Sequence, residues 1–270
     1  GDRNVFSQAE QEDLLKEYNE EDRKKLFVVK PLYQRSLIVA AGPFANFLLA
    51  IVIFAFIYMF AGKDFTPAQI QDVQPKSPAY EAGIKSGDLI QSINNREVKS
   101  ITEVSTFINA SSSKNIDIKV LRNGTELTLK VKPKFIQGKD SLGNQINKKI
   151  IGIKIAPLNE EINRQRLGPA TALFYAVKET WFVIEASWEF IISMFKGTGD
   201  TSQLGGPIKI AKITGQVAKF GVVAFLSIMA YISISLGFIN LLPIPMLDGG
   251  HLMFYAFEKI LGKPLTQRTQ

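Results

Sequence analysis

The sequence predicts an α-helical membrane protein with an inserted α+β domain, and three observations predict it. Residues 36–60 are 25 consecutive uncharged residues, and a bilayer span needs about 20 apolar ones. Residues 221–247 form a second uncharged run. Between the two runs lies a polar stretch with strand alternation. Ile116, Ile118 and Val120 alternate with polar residues, as do Leu127, Leu129 and Val131. Asn123-Gly124 between them supplies the positive φ angles of a tight hairpin. Composition agrees with such a mixture: of 270 residues, 46% are hydrophobic and 21% charged, with a mean hydropathy of +0.07.

Residues 1–35 read as a juxtamembrane segment. The first part is acidic (Glu10, Glu12, Asp13, Glu17, Glu20, Glu21, Asp22), and Arg23, Lys24, Lys25, Lys30 and Arg35 follow. Those five cations precede the span at 36–60, whereas Lys63 beyond it stands beside Asp64. Cytoplasmic flanks carry the excess of Lys and Arg, so the N-terminal side is expected in the cytoplasm and residues after 60 outside it. Residues 66–134 read as a small soluble domain. It has strands at 70–73 and 89–93, a short helix at 79–82 ended by Gly83, and a helix at 103–110. Residues 135–167 read as a polar linker with one strand at 150–155.

Residues 168–195 have a helical pattern. Lys178, Glu185 and Glu189 share one stripe, flanked by Trp181 and Trp188. This fits either the core helix of a soluble domain or an amphipathic helix lying in the membrane interface, and the four charges including Glu179 argue against a span. Residues 221–247 then cross the bilayer, broken near the end by Pro243 and Pro245, and 248–270 are expected as a cytoplasmic loop.

Composition also excludes chemistry. With no cysteine there is no disulfide, no Cys-type zinc site and no thiol nucleophile. A single histidine, His251, excludes any site needing two histidines within this chain. The net charge of +7 is modest, and the basic residues gather at membrane edges without an aromatic-interleaved face, so no nucleic-acid partner is expected.

Two places carry polar groups at membrane depth. The first is the string Asn240-Leu-Leu-Pro243-Ile-Pro245-Met-Leu-Asp248-Gly249-Gly250-His251. A carboxylate at the edge of a bilayer helix is costly and faces a cavity or partner by default. Irregular backbone at that depth is tolerated only where protein buries it or water reaches it. Together they point to a cavity holding something polar such as a metal ion; a helix-capping Asp248 before a Gly-Gly turn accounts for the same residues. The second is Gly42-Pro43-Phe44-Ala45-Asn46. Asn46 lies roughly 15 Å of helix past Ser36, so an antiparallel pair of spans brings it toward the depth of Asn240 and Asp248. A kink at Gly42-Pro43 with Asn46 bonding a neighbouring helix is the plainer alternative.

The string Ser77-Pro78-Ala79-Tyr80-Glu81-Ala82-Gly83-Ile84-Lys85-Ser86-Gly87-Asp88-Leu89-Ile90 resembles the signature of bacterial PDZ domains. Gly42-Pro43-x-x-Asn46 and Leu247-Asp248-Gly249 resemble the later membrane motifs of the site-2 proteases. A PDZ domain between those two motifs is the order found in the RseP-like branch of that family, and the resemblance covers nearly the whole chain.

That resemblance implies an intramembrane zinc metalloprotease cutting single-span membrane proteins, such as an anti-sigma factor, in the bacterial inner membrane. The PDZ domain would stand on the periplasmic side and bind peptide; the lipid bilayer is the remaining partner. In the family, two histidines of an H-E-x-x-H helix and the aspartate of L-D-G hold zinc, and the glutamate is the general base. The zinc-ligand position falls on Asp248. The substrate-strand region falls on Asn240, Pro243 and Pro245, with Gly42, Pro43, Asn46 and Gly249 close by, the glycine letting backbone pack beside the metal. No H-E-x-x-H is present. The expectation is an excerpt of a longer chain, without its catalytic residues and inactive alone. The alternative is a non-catalytic membrane-anchored PDZ adaptor. A serine protease is set aside for want of a Gly-x-Ser-x-Gly string.

Overall fold

The computed structural model describes residues 27–111, 113–139, 145–158, 161–195 and 213–261. The acidic segment at 1–26 and residues 262–270 lie outside them. Two compact units emerge, one of Gly1–Ala50 with Tyr231–Gln270 and one of Ile51–Ala230.

The second unit is built on a sheet. Its strands are β2 (Ala68–Val73), β3 (Leu89–Ile93), β4 (Arg96–Glu97), β5 (Ile116–Arg122), β6 (Thr125–Val131) and β9 (Ile153–Pro157). They run antiparallel in the order β6-β5-β3-β2-β9, with β4 on β3. Two further ribbons pair β1 (Lys63–Asp64) with β10 (Arg164–Gln165) and β7 (Lys134–Lys139) with β8 (Gln145–Ile150). The alternating apolar residues point where their period requires: Ile116, Ile118, Val120 and Val131 are fully buried, with Ile70 and Ile93 beside them. The short helix α2 (Pro78–Glu81) starts on Ser77, whose side chain accepts from the Tyr80 amide. Helix α3 (Ile101–Ala110) starts on Ser100, which accepts from the Glu103 amide, and buries Val104 and Ile108. Both caps satisfy donors that a helix start otherwise leaves open.

The hairpin turn forms as its residues require. Arg122 pairs with Thr125, leaving the two-residue loop Asn123-Gly124 with φ of 48° and 80°, the signs of a type I′ turn. The strand expected over 150–155 is two strands. Gly152 has φ 79°, and a Cβ there would stand 2.3 Å from Ser77 Cβ. That break ends β8 at Ile150 and starts β9 at Ile153. β9 then pairs with β2 from Ala68↔Pro157 to Val73↔Ile153, so the sheet takes in a strand from the stretch read as a linker.

Asp88 closes the sheet's open end. Its side chain is fully buried and takes two hydrogen bonds from Arg122, Nε to Oδ1 at 2.6 Å and Nη2 to Oδ2 at 2.7 Å. The Lys85 amide adds a third at 2.9 Å. Burial alone pushes the Asp88 carboxyl up, but the bonds from Arg122 and Lys85 outweigh it and hold the pKa below the ordinary 3.8. A group lowered on folding stabilises above its unfolded pKa and stops doing so as pH falls through the folded one. We therefore expect Asp88→Ala to cost about 3 kcal/mol, because Arg122 is left without its counter-charge. The deficit should be complete above about pH 4 and shrink in more acid solution. Urea unfolding of the detergent-solubilised chain, followed by exchange of the Ile118 and Val120 amides, measures it.

Helix α4 (Pro169–Phe195) completes this unit. Arg96 ion-pairs with Glu185 and Glu189 of α4 at 3.1 and 2.9 Å. Phe107 of α3 meets Phe182 with ring centroids 5.1 Å apart, and Lys99 reaches the Tyr175 hydroxyl at 3.3 Å.

The first unit contains α6 (Asp248–Leu261) with parts of two long helices, α1 (Leu32–Phe60) and α5 (Val222–Leu241). α1 and α5 are the two described helices long and apolar enough to cross a membrane. Two expectations are corrected here. α5 ends at Leu241, six residues before the uncharged run does, because Pro243 and Pro245 cannot continue its hydrogen bonds. Residues 248–261 are a helix and not a loop.

Candidate functional site

The proline-rich bend makes its own short-range bonds. The Ile244 amide donates to Leu242 O at 2.7 Å and the Leu247 amide to Ile244 O at 3.2 Å. Met246 takes φ 75°, reversing the chain so that Asp248 opens α6. Leu247 O accepts from the Gly250 and His251 amides at 3.0 and 3.3 Å. The glycines after Asp248 are in that first helical turn. A Cβ on Gly249 would lie 2.3 Å from Leu242 O and 2.4 Å from Leu241 O. One on Gly250 would lie 2.4 Å from Ile244 O. The bare backbone of this turn is what lets α6 fold back onto the end of α5. The close approach is to the backbone of residues 241–245.

Helix α1 meets α5 through small residues. Gly237 is buried, and a Cβ there would stand 2.9 Å from Pro43 O and 3.1 Å from Asn46 Cβ. One turn away, Ser233 Oγ donates to Asn46 O at 2.8 Å and lies 3.4 Å from Asn46 Oδ1. Ser233 and Gly237 form the small-x-x-x-small pattern through which apolar helices bring backbones together. As the α1 residue number rises the α5 number falls, so the helices are antiparallel. Pro43, inside α1, cannot donate to the turn before it; it is buried against α5.

Asp248 stands beside α1 at its other flank. A Cβ on Gly42 would be 3.3 Å from Asp248 Oδ2, so the glycine leaves open the space next to the carboxylate. Asp248 is half-buried, and among the described residues no hydrogen bond or ion pair takes up its side chain. Gly42, Pro43, Asn46, Gly249 and Asp248 are thus gathered around the α1, α5 and α6 contacts. Asn240 is half-buried at the last turn of α5, while Pro243 and Pro245 are exposed in the bend. Asn46 bonds Ser233, two turns before Asn240 on α5 or roughly 10 Å of rise.

A zinc ion needs about four donors of N, O or S type. Asp248 fits one such position: an oxygen ligand, open on the Gly42 side and unclaimed by neighbours. Among the described residues no group of three or more His, Cys, Asp or Glu side chains converges, so they do not make the whole site. Ser233 and Gly237 escaped sequence reading. Their four-residue spacing was the available signal, hidden in a run that is apolar on every side.

Comparison with known proteins shows what the chain is similar to. The family model of peptidase family M50 matches residues 9–270. A protein of Mesorhizobium japonicum whose name describes a zinc metalloprotease is 35% identical over 271 residues, covering 99% of this chain and 73% of the relative. The metalloprotease MmpA of Caulobacter vibrioides is 32% identical, covering 100% and 72%. The regulator of sigma-W protease RasP of Bacillus subtilis is 34% identical, covering 90% of this chain and 55% of that one. A solved PDZ domain from Listeria innocua is 24% identical over 35% of this chain and 99% of its own, with a TM-score of 0.27. The match extends from the segment before α1 through the Asp248 turn, and the chain belongs to peptidase family M50.

Proposed function

We propose that this chain forms part of a zinc-dependent intramembrane protease of the site-2 type, which hydrolyses peptide bonds of single-span membrane proteins inside the bilayer. The observation that carries the proposal is the Asp248 carboxylate, unbonded among the described residues and open beside Gly42, at a helix start folded back onto the end of an apolar helix. A free carboxylate at that depth needs a cation or a donor, and the relatives' names supply zinc. With one histidine in the sequence, the chain does not itself hold the two histidines of an H-E-x-x-H helix, the ligands that would join Asp248 in this reading. Asn240 and the exposed Pro243–Pro245 bend are where an extended substrate strand would lie. The sheet domain would bind peptide at a strand edge, as PDZ domains do, and an anti-sigma factor is the class of substrate proposed.

The bilayer itself rests on α1 and α5. In their most apolar windows only 17% and 22% of residues are buried within the protein, so lipid has to cover what a soluble core would otherwise hide. The cations before α1 support a cytoplasmic start for this helix and a sheet domain on the outer, periplasmic face of the cell membrane. α4 presents Val177, Trp181, Trp188 and Phe195 along one exposed stripe, while Glu185 and Glu189 on its flank hold Arg96. This supports a helix lying in the interface. Single cysteines placed along α4 of this cysteine-free chain should be protected from a water-soluble thiol reagent at 177, 181 and 188 and labelled at 178. Uniform labelling would remove the interfacial helix.

Reconstituted in liposomes with a single-span substrate, the intact protein should cleave it, stop on zinc chelation and resume on zinc addition. The 270-residue chain alone should cleave nothing. Cleavage that survives chelation overturns the zinc reading. Adaptor function is favoured if the intact protein captures the peptide and never cuts it.

A further inference from the structure

Helix α6 touches α1 at two levels, and only one belongs to the motif residues. At the second level Arg35, in the first turn of α1, lies against α6. Its Nη2 is 3.7 Å from Glu258 Oε2, and its guanidinium carbon is 5.2 Å from the centre of the Tyr255 ring. Tyr255 is 7% exposed and the Glu258 side chain 10%. Among the described residues, the buried Arg35 Nε has no hydrogen-bond partner. Burying an unpaired donor of a charged group is costly, more so at the mouth of an apolar span, so stability alone does not account for an arginine at this contact.

The register shows what does. Arg35 and Gly42 are seven residues apart on α1, and Asp248 and Tyr255 are seven apart on α6. Gly42 stands opposite Asp248 and Arg35 opposite Tyr255. Seven residues are two helical turns, roughly 10.5 Å of rise, so the two helices are antiparallel with matched contacts at both levels. The Gly42 level has no side chain to grip α6 and by itself does not fix how the helix is turned about its long axis. The Arg35 level has a flat cation stacked on a ring and paired with a carboxylate, a geometry that fixes an angle.

We propose that Arg35 is a positioning residue: by gripping Tyr255 and Glu258 it sets how α6 is turned about its axis and so the place of the Asp248 carboxylate beside Gly42. The inference rests on Asp248 belonging to the active site, but its geometric half does not. In the intact membrane protein, cysteines replacing the exposed Ile38 and Phe257 carry spin labels that report the α1–α6 distance. Arg35→Met should broaden that distance distribution and lower kcat about tenfold to a hundredfold with KM unchanged, the signature of displaced chemistry and not lost binding. Arg35→Lys, which keeps the charge, should recover most of both. A wild-type distance distribution in Arg35→Met overturns the proposal. A broadened distribution with unchanged kcat also overturns it, leaving a structural latch only. If Asp248→Ala keeps full activity, Asp248 leaves the active site instead, and the spin-label distances still decide the latch.

Discussion

Asp248→Ala in the intact membrane protein should lose cleavage to background, at least about a hundredfold, and lose bound zinc with it. Changes in the groups that merely orient a metal ligand cost about 10–100-fold, and removing the ligand itself costs more. The fold should barely notice. No described hydrogen bond or ion pair holds the carboxylate, and α6 is anchored elsewhere, by its glycine contacts with 241–244 and by Tyr255 and Glu258. Helix content and the protease-resistance pattern of the membrane helices should therefore match wild type, which makes lost activity a statement about chemistry. Zinc per protein measured by atomic absorption, with cleavage measured in the same preparation, checks both halves. Retained activity takes Asp248 out of the site. Retained zinc with lost activity makes it a substrate or transition-state group instead of a ligand. Gly42→Ala is the milder companion: its Cβ would come to 3.3 Å from Asp248 Oδ2, close enough to require a small shift, so activity should fall while zinc is kept.

How much of this was legible beforehand divides by the range of the contacts. The β5–β6 hairpin was readable because Asn123-Gly124 and the flanking alternation are all within one short stretch. The two apolar runs were readable from the absence of charge alone, and Asp248 stood out as a carboxylate after one of them. β9 was not readable as a sheet member: its partner β2 lies some eighty residues earlier, and nothing local in Ile153–Pro157 names it. Residues 248–270 read as a loop and Gly249-Gly250 as a turn, yet the lack of Cβ atoms there is the condition for a helical turn to fit against 241–244. Position within the span brings Asn46 toward the depth of Asn240 and Asp248 and names no partner for it. Depth fixes position along a helix to a turn or two, whereas its bond to Ser233 depends on the antiparallel register with α5.

The largest purely steric effect should come from Gly249→Ala. The added Cβ would sit 2.3 Å from Leu242 O, 2.4 Å from Leu241 O and 2.5 Å from Leu241 C. Ordinary contact begins near 3.4 Å, so about 1 Å has to open up. No side chain can swing aside, because every atom in the way is backbone. Either the last turn of α5 unwinds or the first turn of α6 lifts off, and either movement carries the adjacent Asp248 with it. Overpacking of this kind costs about 1–3 kcal/mol or somewhat more, not enough to unfold a long apolar helix in a bilayer. A misplacement of about 1 Å at a reacting group is nevertheless worth about a hundredfold in rate. Gly249→Ala should thus insert and accumulate normally, cleave about a hundredfold more slowly, and bind zinc more weakly. Gly250→Ala, whose Cβ would meet Ile244 O at 2.4 Å, should behave alike. Gly168→Ala, with nothing within 4 Å of its Cβ, should be silent. Wild-type cleavage in Gly249→Ala would mean that the α5–α6 turn has slack, and that the position of the Asp248 carboxylate is not set by backbone packing.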